Sequence, residues 1–188
     1  MMSTAVNPVP MGALLAGLDE VRQAPRDGGR VELIVRRPRI GKREIVDSAS
    51  LDPASGVVGD SWLSRGDFRT KGPSDPDVQI TVMNARSVAL VAGTRDRWPL
   101  AGDQLYVDLD LSLDNLPAGT RLAVGSAVLE VSEKPHTGCS KFVSRFGVDA
   151  MKFVNSEVGR SLNLRGINAR VVAAGDVRVG DVVRKLAD

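Results

Sequence analysis

The chain has 188 residues, 43% of them hydrophobic and 26% charged, the composition of a globular protein with one sizeable core. Its 25 basic and 23 acidic residues leave a formal net charge of only +2, so no broad field for nucleic acid is implied. No apolar run approaches the roughly 18 residues of a membrane span, and a single cysteine, unable to form an intramolecular disulfide, points to a reducing compartment. The expectation is a cytoplasmic protein with neither a nucleic-acid nor a membrane partner.

The apolar run from Met11 to Leu18 has no basic segment before it and Asp19 and Glu20 after it, which makes a poor signal peptide. Leu14, Leu15, Leu18 and Val21 have helical spacing instead, predicting a short amphipathic helix over 11–23. Residues 1–29 form this helix and a lead-in; 30–188 form the main domain. Val31, Leu33 and Val35 alternate with Glu32, Ile34 and Arg36, predicting a strand that ends before Pro38. Residues 49–77, rich in Ser, Asp, Gly and Pro, predict long loops around Gly59–Arg65, and loops of that length are usually functional or mobile. A strand over 78–82 follows, then a helix capped by Asn84 and ended by Gly93. Residues 105–111 alternate again, and 121–131 hold two short runs divided by Gly125 and Ser126. The same grammar returns in 169–173 and 177–183. Between these, 140–146 and 150–162 carry apolar residues three and four apart, predicting short helices laid across a barrel. The resulting fold class is mainly β, a barrel with a few short peripheral helices.

Chemistry concentrates in the stretch Lys134–Phe142, which holds the only cysteine, Cys139, and the only histidine, His136. Two readings of Cys139 compete: a small buried hydrophobe, or a thiolate favoured by a helix N-terminus and by Lys134 and Lys141. The polar neighbours Thr137, Gly138 and Ser140 favour the second. One Cys and one His do not supply the usual zinc ligand set. A Cys–His nucleophilic pair would need a third group to hold the histidine, which spacing does not show. A single thiolate on a soft metal, with other ligands from a bound cofactor, is the remaining option. His136 either contacts a cofactor or substrate or caps a turn. Arg65, Arg69 and Lys71, and separately Arg160, Arg165 and Arg170, are either phosphate-binding clusters or solvated charge. Gln104, in the turn Gly102–Leu105, either lines a pocket or opens a strand. Trp62 and Trp98 belong to the core or its rim.

Gly59-Asp60, the Gly102–Leu105 turn, Arg121–Gly125 before Ala127–Val131, Pro135–Cys139, and the closing Arg170–Asp181 segment occur in an order that resembles the MOSC domain, named for the molybdenum cofactor sulfurase C-terminal region. The resemblance runs from about residue 30 to residue 186. It implies a stand-alone barrel that binds a molybdenum–molybdopterin cofactor, with Cys139 as metal ligand or persulfide carrier. Cys139 and His136 would then be catalytic, and Cys139, Thr137, Lys141, Gln104 and Arg65 would contact the cofactor. The implied activity is an oxidoreductase acting on N-hydroxylated compounds, partnered by an electron-transfer or cofactor-delivery protein. A non-catalytic carrier of cofactor or persulfide sulfur, and a cofactor-free ligand-binding barrel, are the alternatives. Gly102-Asp-Gln-Leu105 departs from the family's common Gly-Glu-Asn-Leu, and Thr70–Asp75 from its His-Gly-Gly stretch.

Overall fold

Alternating apolar side chains build two cores on the two faces of one curved sheet. The computed structural model describes residues 7–67 and 70–187. Helices α1 (Met11–Ala16) and α2 (Leu18–Arg22) precede strands β1 (Gly29–Arg36), β2 (Glu44–Val46), β3 (Ser48–Asp52) and β4 (Gly56–Val57). Helix α3 (Trp62–Arg65), β5 (Ile80–Asn84), α4 (Ala85–Ala92), a 3-10 segment (Arg95–Ala101) and β6 (Leu105–Asp108) follow. The chain continues through β7 (Arg121–Val124), β8 (Ala127–Pro135), α5 (Ser140–Asn155), α6 (Glu157–Ser161), β9 (Ile167–Ala173), β10 (Gly175–Arg178) and β11 (Val182–Lys185).

The main sheet runs β11-β7-β8-β9-β5-β6-β1-β2, and a further β11–β1 pairing closes seven of these strands into a barrel. Every ladder is antiparallel except β5–β6, whose crossover contains α4. Strand β2 stays outside the closure, hydrogen-bonded to β1. A second sheet, β10-β3-β4, joins two strands from the stretch expected to be loop to β10, which overlaps the expected strand run 177–183. Strands β3 and β4 are only five and two residues long, so no apolar run announced them.

Ile34, Val82, Leu105, Val107, Leu129 and Val183 fill the barrel interior. The residues between them, Leu33, Val35, Met83 and Tyr106, face outward and pack against Leu14, Val88, Phe142, Phe146 and Phe153 of the helices. One parity expectation is corrected. Val31, Leu33 and Val35 do not share a face, because the register shifts between Val31 and Leu33; Val31 and Ile34 point inward, Leu33 and Val35 outward.

The helices agree with their periodicity, with breaks where the local chemistry requires them. Gly17 divides α1 from α2. Asn84 caps α4, its Oδ1 accepting from Arg86 N at 2.7 Å and Ser87 N at 3.3 Å. Gly147, at φ +90°, kinks α5. Ser156 ends α5 and caps α6 through Gly159 N, splitting the helix expected over 150–162.

Candidate functional site

The segment after β8 leaves the barrel rim at Pro135 and enters α5 at Ser140, which puts Cys139 at the N-cap with its side chain exposed. Asn155, at the far end of α5, clamps this loop. Its Oδ1 accepts from Gly138 N at 2.8 Å and its Nδ2 donates to Gly138 O at 3.0 Å. A side chain at Gly138 would press on Val154 Cγ2, 3.0 Å from the Cβ position, so glycine is what lets the loop lie this close to the helix. Partial burial pushes the Cys139 thiol upward. The backbone N–H groups of Phe142 and Lys141 and the charges of Arg165 and Lys141 outweigh it, and the thiol lies below its ordinary value. Lys134, one of the two lysines expected to act on it, is instead ion-paired with Asp75.

Behind the loop sits a buried charged group. Asp103 has no exposed side-chain surface; its Oδ2 accepts from Arg165 Nη1 at 2.7 Å. Its Oδ1 lies 3.4 Å from His136 Nδ1, and neither of those atoms completes a hydrogen bond. Burial, reinforced by Arg165 and Arg37 against the pull of Asp103, holds His136 down to about 3. The imidazole is therefore neutral throughout the physiological range.

Arginines gather around this group from distant parts of the chain. The carbonyls that end the 3-10 segment each receive one: Leu100 O from Arg145 Nη1 at 2.8 Å, Ala101 O from Arg165 Nη2 at 2.9 Å, Gly102 O from Arg37 Nη1 at 2.8 Å. Arg37 also makes a three-point contact with the buried Asp60, its N, Nε and Nη2 donating at 2.9, 3.0 and 3.1 Å. Arg43 Nη2 and Arg145 Nη1 both come within 4.0 Å of the point where a Cβ on Gly102 would stand. Four guanidinium groups thus meet two carboxylates, Asp60 and Asp103. Among the described residues Arg43 has no acidic partner, and its buried Nε is unbonded.

Residues 57–184 match the family model of the MOSC domain. The chain belongs to the MOSC family. Among solved structures, this MOSC protein resembles the YuaD protein of Bacillus subtilis, with a TM-score of 0.59 and 19% identity over 82% of this chain and 93% of that one. It also resembles YiiM of Escherichia coli (TM-score 0.55, 19% identity, 85% of this chain and 70% of that one). YiiM of Geobacillus stearothermophilus is similar at a TM-score of 0.52 and 14% identity, over 85% and 73%. At these identities the likeness establishes the fold alone. No curated protein matches the chain significantly in sequence.

Within the MOSC barrel the residues singled out from sequence separate. Cys139, His136 and Lys141 share one loop and helix start, and Arg165 joins them from beyond α6. Arg65, at the end of α3, lies near Arg37 and Asp60. Thr137 and His136 also line a cavity of about 210 Å³ with Val154, Arg160 and Ile167, which Cys139 does not line. Gln104 is turned into the barrel: its Oε1 accepts from Thr81 N at 2.8 Å and Thr81 Oγ1 at 2.6 Å, and its Nε2 donates to Gln79 O at 3.2 Å. Arg160 and Arg170 do not join Arg165; they bond Asn155 O and Glu130. Lys71 is exposed, and Arg69 lies outside the described residues. Trp62 and Trp98, expected in the core or at its rim, are both buried. Arg37, Arg43 and Arg145 were missed, although the run Arg36–Arg43 holds five basic residues in eight positions and was a visible signal.

Among the described residues no three His, Cys, Asp or Glu side chains converge to hold a metal. A metal in this site would take one soft ligand from the protein, Cys139, and the others from its own cofactor. Among the described residues no helix is long and apolar enough to cross a membrane.

Proposed function

We propose that this MOSC protein is a carrier that holds a soft cargo on the Cys139 thiolate: the sulfane sulfur of a persulfide, or the metal of a molybdenum–pterin cofactor. The observation that carries this reading is an exposed thiol at a helix N-cap, lowered by nearby charges of the arginine group, next to a buried histidine that stays uncharged. A soft thiolate suits either cargo, and the guanidinium groups of Arg43 and Arg145 suit the phosphate of a pterin cofactor. Arg65, Thr137 and Lys141 complete the polar contacts in this reading. Molybdenum, when bound, supplies oxygen-atom and electron transfer. Reduction of an N-hydroxylated compound also requires protons at the departing oxygen, and a histidine held near 3 does not supply them at neutral pH. Carriage therefore accounts for the site better than turnover. It implies a protein that loads Cys139 and another that unloads it.

The test is to purify the protein and Cys139→Ser from a host that makes the cofactor, and to measure molybdenum, oxidised pterin and cyanide-labile sulfur. Near-stoichiometric metal with pterin, or sulfane sulfur, in wild type and its loss in the variant is the expected result. Equal amounts in both proteins, or none in either after reconstitution, would overturn it. Cys139-dependent reduction of an N-hydroxylated compound with an electron donor would replace carriage by oxidoreduction.

A further inference from the structure

The arginine group asks for an anion of particular shape. Capping of Leu100 O, Ala101 O and Gly102 O uses one N–H each from Arg145, Arg165 and Arg37, and the remaining donors are not needed for that task. Arg165 has 8% of its side chain exposed, yet its Nε has no partner. Arg43 has a solvent-shielded Nε without a partner and no acidic neighbour among the described residues. Unbonded guanidinium N–H groups held out of water, on cations that repel one another, are stabilised by a polyoxygen anion that accepts several of them at once. The residue that carries the thiol adjoins the same group: Arg165 lies over the Phe142 ring at 5.0 Å in the first turn that Cys139 caps, and Arg145 lies within electrostatic reach of Cys139, Arg43 and Arg165 together. Anion and thiolate would thus occupy one site.

We propose that the site takes thiosulfonate-type sulfur donors, of which thiosulfate is the smallest, with the sulfonate oxygens on Arg43, Arg145 and Arg165 and the outer sulfur at Cys139. This deepens the carrier reading and rests on it. The Cys139 thiolate attacks the outer sulfur; an S–S bond forms there, and the bond to the sulfonate sulfur breaks. Its electron pair leaves with the sulfonate sulfur, which is reduced to sulfite, while the cysteine sulfur is oxidised to the persulfide level. Three negative charges stand on each side, so no further oxidant or reductant is required. A phosphate ester would meet the same arginines but has no sulfur to give, and acts as a competitor.

The experiment uses the full chain, freed of reductant, with thiosulfate as probe. Sulfite release is followed together with intact mass. The expected result is one sulfite released and one sulfur atom gained per chain, neither in Cys139→Ser, with inorganic phosphate slowing the reaction. Arg43→Gln, which breaks no ion pair among the described residues, is expected to keep the unfolding midpoint and to load from dilute thiosulfate about tenfold more slowly. Arg43→Lys is expected to fall between the two. Wild type that releases no sulfite, yet gains sulfur on Cys139 from cysteine persulfide, would overturn this proposal and leave the carrier reading standing. Failure with both donors, with no cofactor retained, would remove both. An Arg43→Gln protein as fast as wild type would overturn the arginine assignment.

Discussion

Replacing Asp103 by asparagine keeps the shape of the site and removes one charge. The carboxylate is fully buried, and Arg165, at 2.7 Å, has only 8% of its side chain exposed. Asp103→Asn therefore leaves a guanidinium out of water with the Ala101 carbonyl, at 2.9 Å, as its remaining strong acceptor. Breaking a buried pair from one side costs about 3–5 kcal/mol, against about 5–15 kcal/mol for the whole stability of a domain. With a urea m-value of about 2 kcal/mol/M, the midpoint falls by about 2 M. Trp62 and Trp98 are both buried, so urea titration followed by tryptophan fluorescence reports the transition. Arg165→Met, which strands the carboxylate, is expected to lose a similar amount. Asp103→Leu with Arg165→Met removes both charges and is expected to recover to within about 2 kcal/mol of wild type, because a buried pair and an apolar replacement are often close in stability. An Asp103→Asn protein within about 1 kcal/mol of wild type, or a double replacement that loses the sum of the single losses to within about 0.5 kcal/mol, would refute a buried, coupled pair.

Two further outcomes follow from the titrating groups. Cys139 is expected to alkylate with iodoacetamide at a pH midpoint below that of a free thiol, and Lys141→Gln moves the midpoint up; an ordinary, unmoved midpoint contradicts the placement of the thiol. His136 is the only histidine, so its ring resonances are unambiguous, and they are expected to show no titration between pH 5 and 8. Because its folded value is lowered from 6.5 to about 3, the unfolded chain binds the proton first. His136 thus contributes stability that is present above 6.5 and is lost as pH falls towards 3. Urea midpoints measured across that window, flattened in His136→Asn, check the sign; a ring midpoint near 6.5 refutes it.

Much of the barrel was legible because its strands alternate and its turns carry Gly, Asp and Ser. The Cys139 loop was legible because polar residues surround a lone thiol. The β1 bulge was not, since one extra residue reverses which face each side chain takes, and alternation over eight residues cannot show it. Strands β3 and β4 are too short to carry a period. Of the arginine group only the basic run from residue 36 to residue 43 was legible, and not the place where it converges with the others. Arg37 and Arg43 come before the barrel is half built, Arg145 from α5, and Arg165 from just before β9. Nothing in their spacing says that they converge around residues 100–102, where Arg37, Arg145 and Arg165 each bond a carbonyl. Gln104 shows the opposite case, a polar residue beside a motif that works inside the core.

The seam of the barrel bears on when this chemistry becomes available during synthesis. Gly29 pairs with Val183, so the first strand of the barrel cannot find its closing neighbour until the chain has left the ribosome as far as residue 183. Such long-range closure makes folding slow. Cys139 emerges before Arg165, and the newborn thiol waits without the guanidinium that later adjoins it. Closure of the barrel, through the pairing of β11 with β1 and β7, comes after every residue of the Cys139 loop and the arginine group has been made.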